Sequence, residues 1–314
     1  MATGITPPFG DIWDGLKAGN VIPFLGAGAS LAGRTGSEPW TDASTFPPSS
    51  RELAHLLAER SSFPSQDQID RDDLAKVSSY TADISGRGRL RERLRTVLNR
   101  RYQQSSLHTF LAAIPAHLLA VVTNYDTLLE EAFRDAGKPY DLVVYPAERP
   151  SIGNSLLWWR DGAGEPEAVE AKELDLDLDT RSVIYKMHGT VWPDEARWDN
   201  FVITEEDYVE FLSRMTTNTS SAVPAQFYQY SRTRSFLFLG YSLRDWNLRV
   251  VLRNLRRQAE TAGVALDDGD VPSWAIQRNP SMLEQRLWMR RNVEIFDMDL
   301  EAFVLQLSEW KTRG

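Results

Sequence analysis

The chain contains no cysteine among its 314 residues. That absence excludes a disulfide framework, a thiolate nucleophile and any zinc site built on thiolates. Histidine is nearly as scarce, with four residues, so imidazole chemistry has few places to sit. No apolar run approaches the roughly 20 residues of a membrane span. The N-terminal MATGITPPFGDIWDGLK has neither the basic start nor the apolar stretch of a secretory signal. An excess of positive charge is missing too, since the formal net charge is −9. That balance argues against direct nucleic-acid binding and for an enzyme or a protein-binding role. These absences together predict a cytoplasmic chain without membrane contact. With 42% hydrophobic residues the chain can bury a full core, and residues 1–314 read as one large α/β domain.

Val21–Leu25 (VIPFL) is a short apolar run that breaks into Gly26-Ala27-Gly28-Ala29-Ser30, which predicts a buried strand and a tight turn into a helix. Arg34 to Ser50 is rich in Gly, Pro, Ser and Thr and reads as a long loop of the functional kind. From Arg51 to His117 the apolar residues recur at helical spacing without a strand signal, so a helical insertion separates the first two strands. Leu118–Thr123 is the next strand. Asp141–Tyr145, Ser182–Met187, Phe236–Leu239, Trp274–Gln277 and Val293–Phe296 follow, with helices over Glu205–Met215, Asp245–Ala262, Pro280–Arg290 and Asp299–Trp310. Pro146 to Thr180 reads as an irregular acidic insertion. Near-continuous apolar strands alternating with helices predict a Rossmann-type parallel sheet covered on both faces.

Ligands of such sheets lie beyond the C-terminal ends of the strands. Polar clusters stand at those places: GAGAS after the first strand, TNYD after the second, HG after Met187 and GYS after Leu239. A Gly-rich turn before a helix brings backbone N–H groups close to a phosphate, although small residues also serve a plain tight turn. GxGxxG fails because Leu31 replaces the third glycine. A phosphate loop of the GxxxxGK[ST] kind nearly fits at Gly28, Gly33, Arg34 and Thr35, with Arg34 where lysine belongs. Asn124 can orient a ribose hydroxyl or a water, whereas Asp126 reads first as a helix cap. His188 ends a strand beside Gly189 and is the natural base near neutral pH. His55, His108 and His117 read as structural. Ser242 and Thr204 both begin capping-box spacings, and the arginines of residues 87–101 read as a solvated helix face opposite Leu90, Leu94, Val97 and Leu98. Glu173–Asp179 (ELDLDLD) reads as an acidic loop or edge strand rather than a metal site.

The ordered set GAGAS, TNYD, HG and GYS resembles the sirtuin fold over roughly residues 18–300. TNYD corresponds to a sirtuin Thr-Gln-Asn-Ile-Asp segment shortened by one residue. Gly240-Tyr241-Ser242 corresponds to a Gly-Thr-Ser turn, and Gln277 falls where sirtuins place an Asn on the adenosine ribose. The string from HGTVW to FVITEEDY is similar to the bacterial sirtuin-like branch. Deacylating sirtuins carry a zinc module held by four cysteines, which this chain lacks, and their Arg-bearing loop is not recognisable in residues 34–50. The resemblance therefore implies a zinc-free NAD+ glycohydrolase of antiphage defence. It implies that Gly26, Ala27, Gly28, Ser30, Asn124, Asp126, Gly240, Ser242 and Gln277 bind NAD+ as substrate, with Asn124 and His188 catalytic and no metal. It also implies a homo-oligomer controlled by a sensor: a HerA-type ATPase, a short Argonaute or a fused sensing domain, this chain then being the effector part. A non-catalytic NAD or ADP-ribose sensor, a protein deacylase and a phosphate-loop NTPase remain the alternatives.

Overall fold

The structure, a computed structural model, describes residues 6–34, 39–147, 152, 155–216, 223–241, 249–254 and 271–313. Its centre is a nine-stranded sheet. In chain order the strands are β1 (Val21–Leu25), β2 (Leu119–Val122), β3 (Tyr140–Val144), β4 (Ser155–Trp159), β5 (Glu167–Glu170), β6 (Ser182–Lys186), β9 (Ser235–Leu239), β10 (Ser273–Gln277) and β11 (Val293–Asp297). A separate small hairpin is made by β7 (Gly189–Thr190) and β8 (Asn200–Phe201). The spatial order of the large sheet is β11-β10-β9-β1-β2-β6-β3-β4-β5. Pairing is parallel from β11 through to β3 and antiparallel for β4 and β5. The expected parallel strands are all present, within a residue or so of their expected limits.

Each strand divides its side chains between the two faces, as the pleat requires. In β1, Val21 and Leu25 enter one core and Ile22 and Phe24 the other. The first core lies under helices α1 (Phe9–Lys17), α6 (Ser106–Ala112), α7 (Leu128–Asp135) and the C-terminal α11 (Leu300–Arg313). The second is covered by α8 (Glu205–Thr216), α9 (Ala225–Thr233) and α10 (Met282–Met289). Helix α1, which the sequence reading leaves out, buries Phe9, Ile12, Trp13 and Leu16 at helical spacing, and Phe9 stacks on Phe303 at 5.7 Å. Of the helix expected over Asp245–Ala262, only residues 249–254 are described, and these are helical.

The insertion between β1 and β2 is helical as expected, built from α2 (Ser50–Ser61), α3 (Gln68–Asp72), α4 (Leu74–Ser85), α5 (Arg87–Leu98) and α6. Helices α2, α4 and α5 close a third core with Val191, Phe201 and Ile203 of the hairpin region. The arginines of α5 depart from the expected solvated face. Arg87 pairs with Asp207 at 2.7 Å, and Arg95 pairs with the buried Asp199 at 2.8 Å, so both fasten the insertion to the segment after His188.

The acidic insertion over residues 146–180 is less irregular than expected. β4 and β5 extend the sheet, with Leu156, Leu157, Trp158 and Trp159 buried. Four consecutive buried residues hide the alternation that would mark a strand in sequence. ELDLDLD is a loop whose Leu174 and Leu176 turn into the second core while its acids face outward.

Candidate active site

Topology gathers the polar clusters. Strands β10, β9, β1, β2 and β6 are consecutive in the sheet, and their C-terminal ends carry Gln277, Gly240, Gly26–Ser30, Asn124–Asp126 and His188 respectively. At roughly 4.8 Å between strands, these ends run along about 19 Å. After β1 the chain builds one side of the sheet and later returns to build the other, so the row straddles a topological switch point.

The glycine turn is shaped by its neighbour across the sheet. Gly28 donates its N–H to Gly240 O at 2.8 Å, and Gly26 donates to Leu239 O at 3.0 Å. A Cβ on Gly28 would sit 2.9 Å from Gly240 Cα. A Cβ on Gly240, whose φ is +68°, would sit 2.0 Å from Ala29 N. The glycines thus let two turns interlock. This corrects the expected arrangement in two respects. GAGAS enters a five-residue 3-10 helix, Ala27–Leu31, rather than a long α-helix, so little macrodipole stands behind it. Three of its N–H groups are also already spent, those of Gly26 and Gly28 on the end of β9 across the sheet and that of Ala29 on Gly26 O within the turn, whereas among the described residues the exposed Ala27 N–H has no partner.

Ser30, Asn124 and Asp126 form one buried chain of hydrogen bonds. Asn124 Nδ2 donates to Ser30 Oγ at 2.8 Å, and Ser30 Oγ donates to Asp126 Oδ2 at 2.8 Å. Asp126 Oδ1 accepts from the Leu128 N–H at 3.2 Å, the capping role expected for it. The network fixes which way the amide points: its nitrogen faces Ser30, leaving the carbonyl oxygen for a ligand hydroxyl. Lys186 reaches under the loop, and its Nζ donates to the main-chain oxygen of Asp126.

His188 is buried, its ring set edge-on against Tyr208 at 5.3 Å and Phe211 at 5.5 Å. No hydrogen bond reaches the ring among the described residues. Burial lowers its pKa to about 4, so the imidazole is neutral at physiological pH but a weaker base than a free one. Gly189 does not hold open space beside it. With φ at +84°, its Cβ position lies 2.1 Å from Asn200 O, so the glycine serves closure of the β7–β8 hairpin.

Two clefts meet over the glycine turn. One, of about 440 Å³, is lined by Gly26–Gly28, Ser30, Asn124, Asp126, His188 and Tyr208, with Pro47–Arg51 forming its far wall. The other, of about 890 Å³, is lined by Gly33, Arg34, Gln277, Arg278, Asn279 and Asp299. Gly28, Leu31, Gly240 and Tyr241 belong to both. Gln277 therefore lies in the second lobe, apart from Asn124 and His188, and it donates to Glu284 at 3.4 Å. Ser242 lies outside the described residues. The cations at the rims are each paired: Arg51 with Asp72 at 3.1 Å, Arg34 with Glu52 at 2.7 Å, and Arg278 with Asp299.

Sequence reasoning missed Tyr208 and Lys186, whereas the wall at Pro47–Ser50 falls in the loop over Arg34 to Ser50 that reads as functional. Of the two missed residues, Lys186 carried a signal, because a charge inside the apolar strand SVIYKM requires a buried partner. Among the described residues no group of three or more His, Asp or Glu side chains is placed to hold a metal ion.

Residues 119–296 match the SIR2-like domain. The chain is also similar to the NAD(+) hydrolase ThsA of Acinetobacter baumannii, with 26% identity over 245 residues, 77% of this chain and 40% of that protein. The ThsA proteins of Enterococcus faecium and Bacillus cereus are 24% and 25% identical, each over 77% of this chain and 41% of their own length. The chain thus spans about 40% of the length of these relatives. The SIR2-like match covers more than half of the chain, including β2, β6, β9 and β10 with the clusters at their ends, and the chain belongs to the SIR2-like domain family.

Proposed function

We propose that the chain is an NAD+ glycohydrolase that cleaves NAD+ to nicotinamide and ADP-ribose. The observation that carries this reading is the two-lobed cleft, with Asn124 and His188 in one lobe, Gln277 in the other and the glycine turn between them. A dinucleotide fits that plan with its nicotinamide ribose beside Asn124, its pyrophosphate over Ala27 and its adenosine toward Gln277. Breaking the C1′–N bond sends the electron pair to nicotinamide and leaves an oxocarbenium-like ribose. Water then adds at C1′ and gives up a proton. Asn124 orients the ribose hydroxyl or the water through its free carbonyl oxygen, and neutral His188 takes the proton. The curated relatives named as NAD(+) hydrolases support the same substrate.

The NTPase alternative loses its cation here. Arg34 is held bidentate by Glu52 at 2.7 and 2.8 Å and stacked over Phe46, so it is not poised for a phosphate. A sensor that binds without turnover is favoured by one observation, the lowered basicity of His188. Calorimetry with NAD+, ADP-ribose and ATP–Mg²⁺ tests the binding claim. NAD+ and ADP-ribose are expected to bind and ATP–Mg²⁺ to give no heat; the reverse pattern contradicts the proposal.

The wider role follows the same resemblance: NAD+ depletion in antiphage defence, by a homo-oligomer under the control of a sensor such as a HerA-type ATPase, a short Argonaute or a fused sensing domain. Unregulated NAD+ hydrolysis would kill the host cell, which is the physical reason to expect such control. A strict monomer with full activity in light scattering would contradict the oligomer.

A further inference from the structure

Lys186 is the least expected residue of the sheet. It is fully buried on the last rung of β6, paired in register with Val122 of β2 and Val144 of β3. Its ammonium donates to Asp126 O and lies 3.3 Å from Glu130 Oε1 on α7. The Glu130 side chain is itself buried, and its oxygens find no hydrogen-bond partner among the described residues beyond that ion pair. Burial pushes the Glu130 carboxyl upward while the ammonium opposes the rise. A buried ion pair of this kind is weak evidence for stability, because desolvating both charges offsets most of their attraction.

Its position suggests another use. Lys186 is the last residue of β6 and stands two residues before His188, and the loop it grips carries Asn124 and Asp126. Asp126 in turn fixes Ser30, which fixes the Asn124 amide. We propose that Lys186, balanced by Glu130, is a positioning residue that locks the Asn124–Asp126 loop to the His188 strand and so sets the distance between the two catalytic groups. The proposal rests on the glycohydrolase reading for its consequence in turnover, but not for its consequence in loop order.

The test is the apolar replacement of both charges, Lys186→Met with Glu130→Leu, in the full chain. Removing the pair together avoids an orphaned buried charge, so the melting temperature should stay at or above that of the unaltered chain. Hydrogen exchange of the amides over residues 123–129 should quicken at least tenfold, with exchange in β1 and β6 unchanged. Nicotinamide release should fall by about 10- to 100-fold in kcat, with KM for NAD+ little altered, as a displacement near 1 Å can produce. Wild-type exchange and turnover in the double variant would overturn the proposal, since the pair would then position nothing, and so would loss of the fold, which would make it a structural device. If the unaltered chain releases no nicotinamide, the glycohydrolase reading falls, and the exchange of residues 123–129 still decides the role of Lys186.

Discussion

At the scale of single residues, Asn124 and His188 carry the proposed chemistry. His188→Ala should lower turnover by about 10²–10⁴-fold while NAD+ affinity stays nearly constant, the pattern of a group acting only in the transition state. Asn124→Ala should lower turnover and also weaken binding, because its amide touches the ground state as well. Turnover against pH and single-turnover nicotinamide release separate these cases. The pH dependence has a definite sign. His188 and the buried His108 both have pKa values lowered by burial to about 4, from 6.5. Above about pH 6.5 both are neutral, folded or unfolded, and their contribution to stability is fully present. As pH falls toward about 4, the unfolded chain takes up protons that the folded chain refuses, and that stability is lost. Activity should be level through neutral pH and fall along the same acid limb. A rise in activity between pH 7 and 5 would contradict the assignment of His188 as the base.

At the scale of elements, the interlocked turns after β1 and β9 are the part most exposed to test. Gly240→Ala places a Cβ where only 2.0 Å separates it from Ala29 N, and it does so at a positive φ. It should destabilise the fold by about 2 kcal/mol or more and reduce NAD+ binding together with it, measured by thermal melting and calorimetry. The same logic applies to Gly28, whose Cβ would sit 2.9 Å from Gly240 Cα. Its substitution by Val should cost stability first, because the Cβ meets Gly240 before it meets any ligand.

Val21–Leu25, Leu119–Val122 and Ser182–Lys186 were readable in the sequence because a parallel strand buried on both faces is apolar at nearly every position. The polar clusters at their ends stood out against that background. Trp158 and Trp159 were not readable as strand, since a buried run of four flanked by acidic and glycine-rich segments has no telling period. Helix α1 was lost because its amphipathic face spans only nine residues behind a proline pair. The site residues were visible singly, but not their wiring. Asn124 to Ser30 spans 94 positions and Lys186 to Asp126 spans 60, distances that only the completed sheet closes.

At the scale of the whole molecule, the chain joins a doubly covered sheet to a helical insertion that the Arg87 and Arg95 ion pairs tie to the segment after His188. The wall of the lobe that holds Asn124 and His188, Pro47–Arg51, is the entry to that insertion. Any assembly or sensor that shifts the insertion would therefore act on the lobe that holds Asn124 and His188. Among the described residues no helix is long and apolar enough to cross a membrane. The central claim is that this cleft hydrolyses NAD+ without an acyl-lysine co-substrate. It is tested most directly by incubating the concentrated chain with NAD+, with and without an acyl-lysine peptide, and weighing the products by mass spectrometry. Nicotinamide and ADP-ribose in equal amounts, formed without the peptide and at least about 100-fold slower in His188→Ala, is the predicted result. Nicotinamide released only when the peptide is present, together with an acylated ADP-ribose, would contradict it.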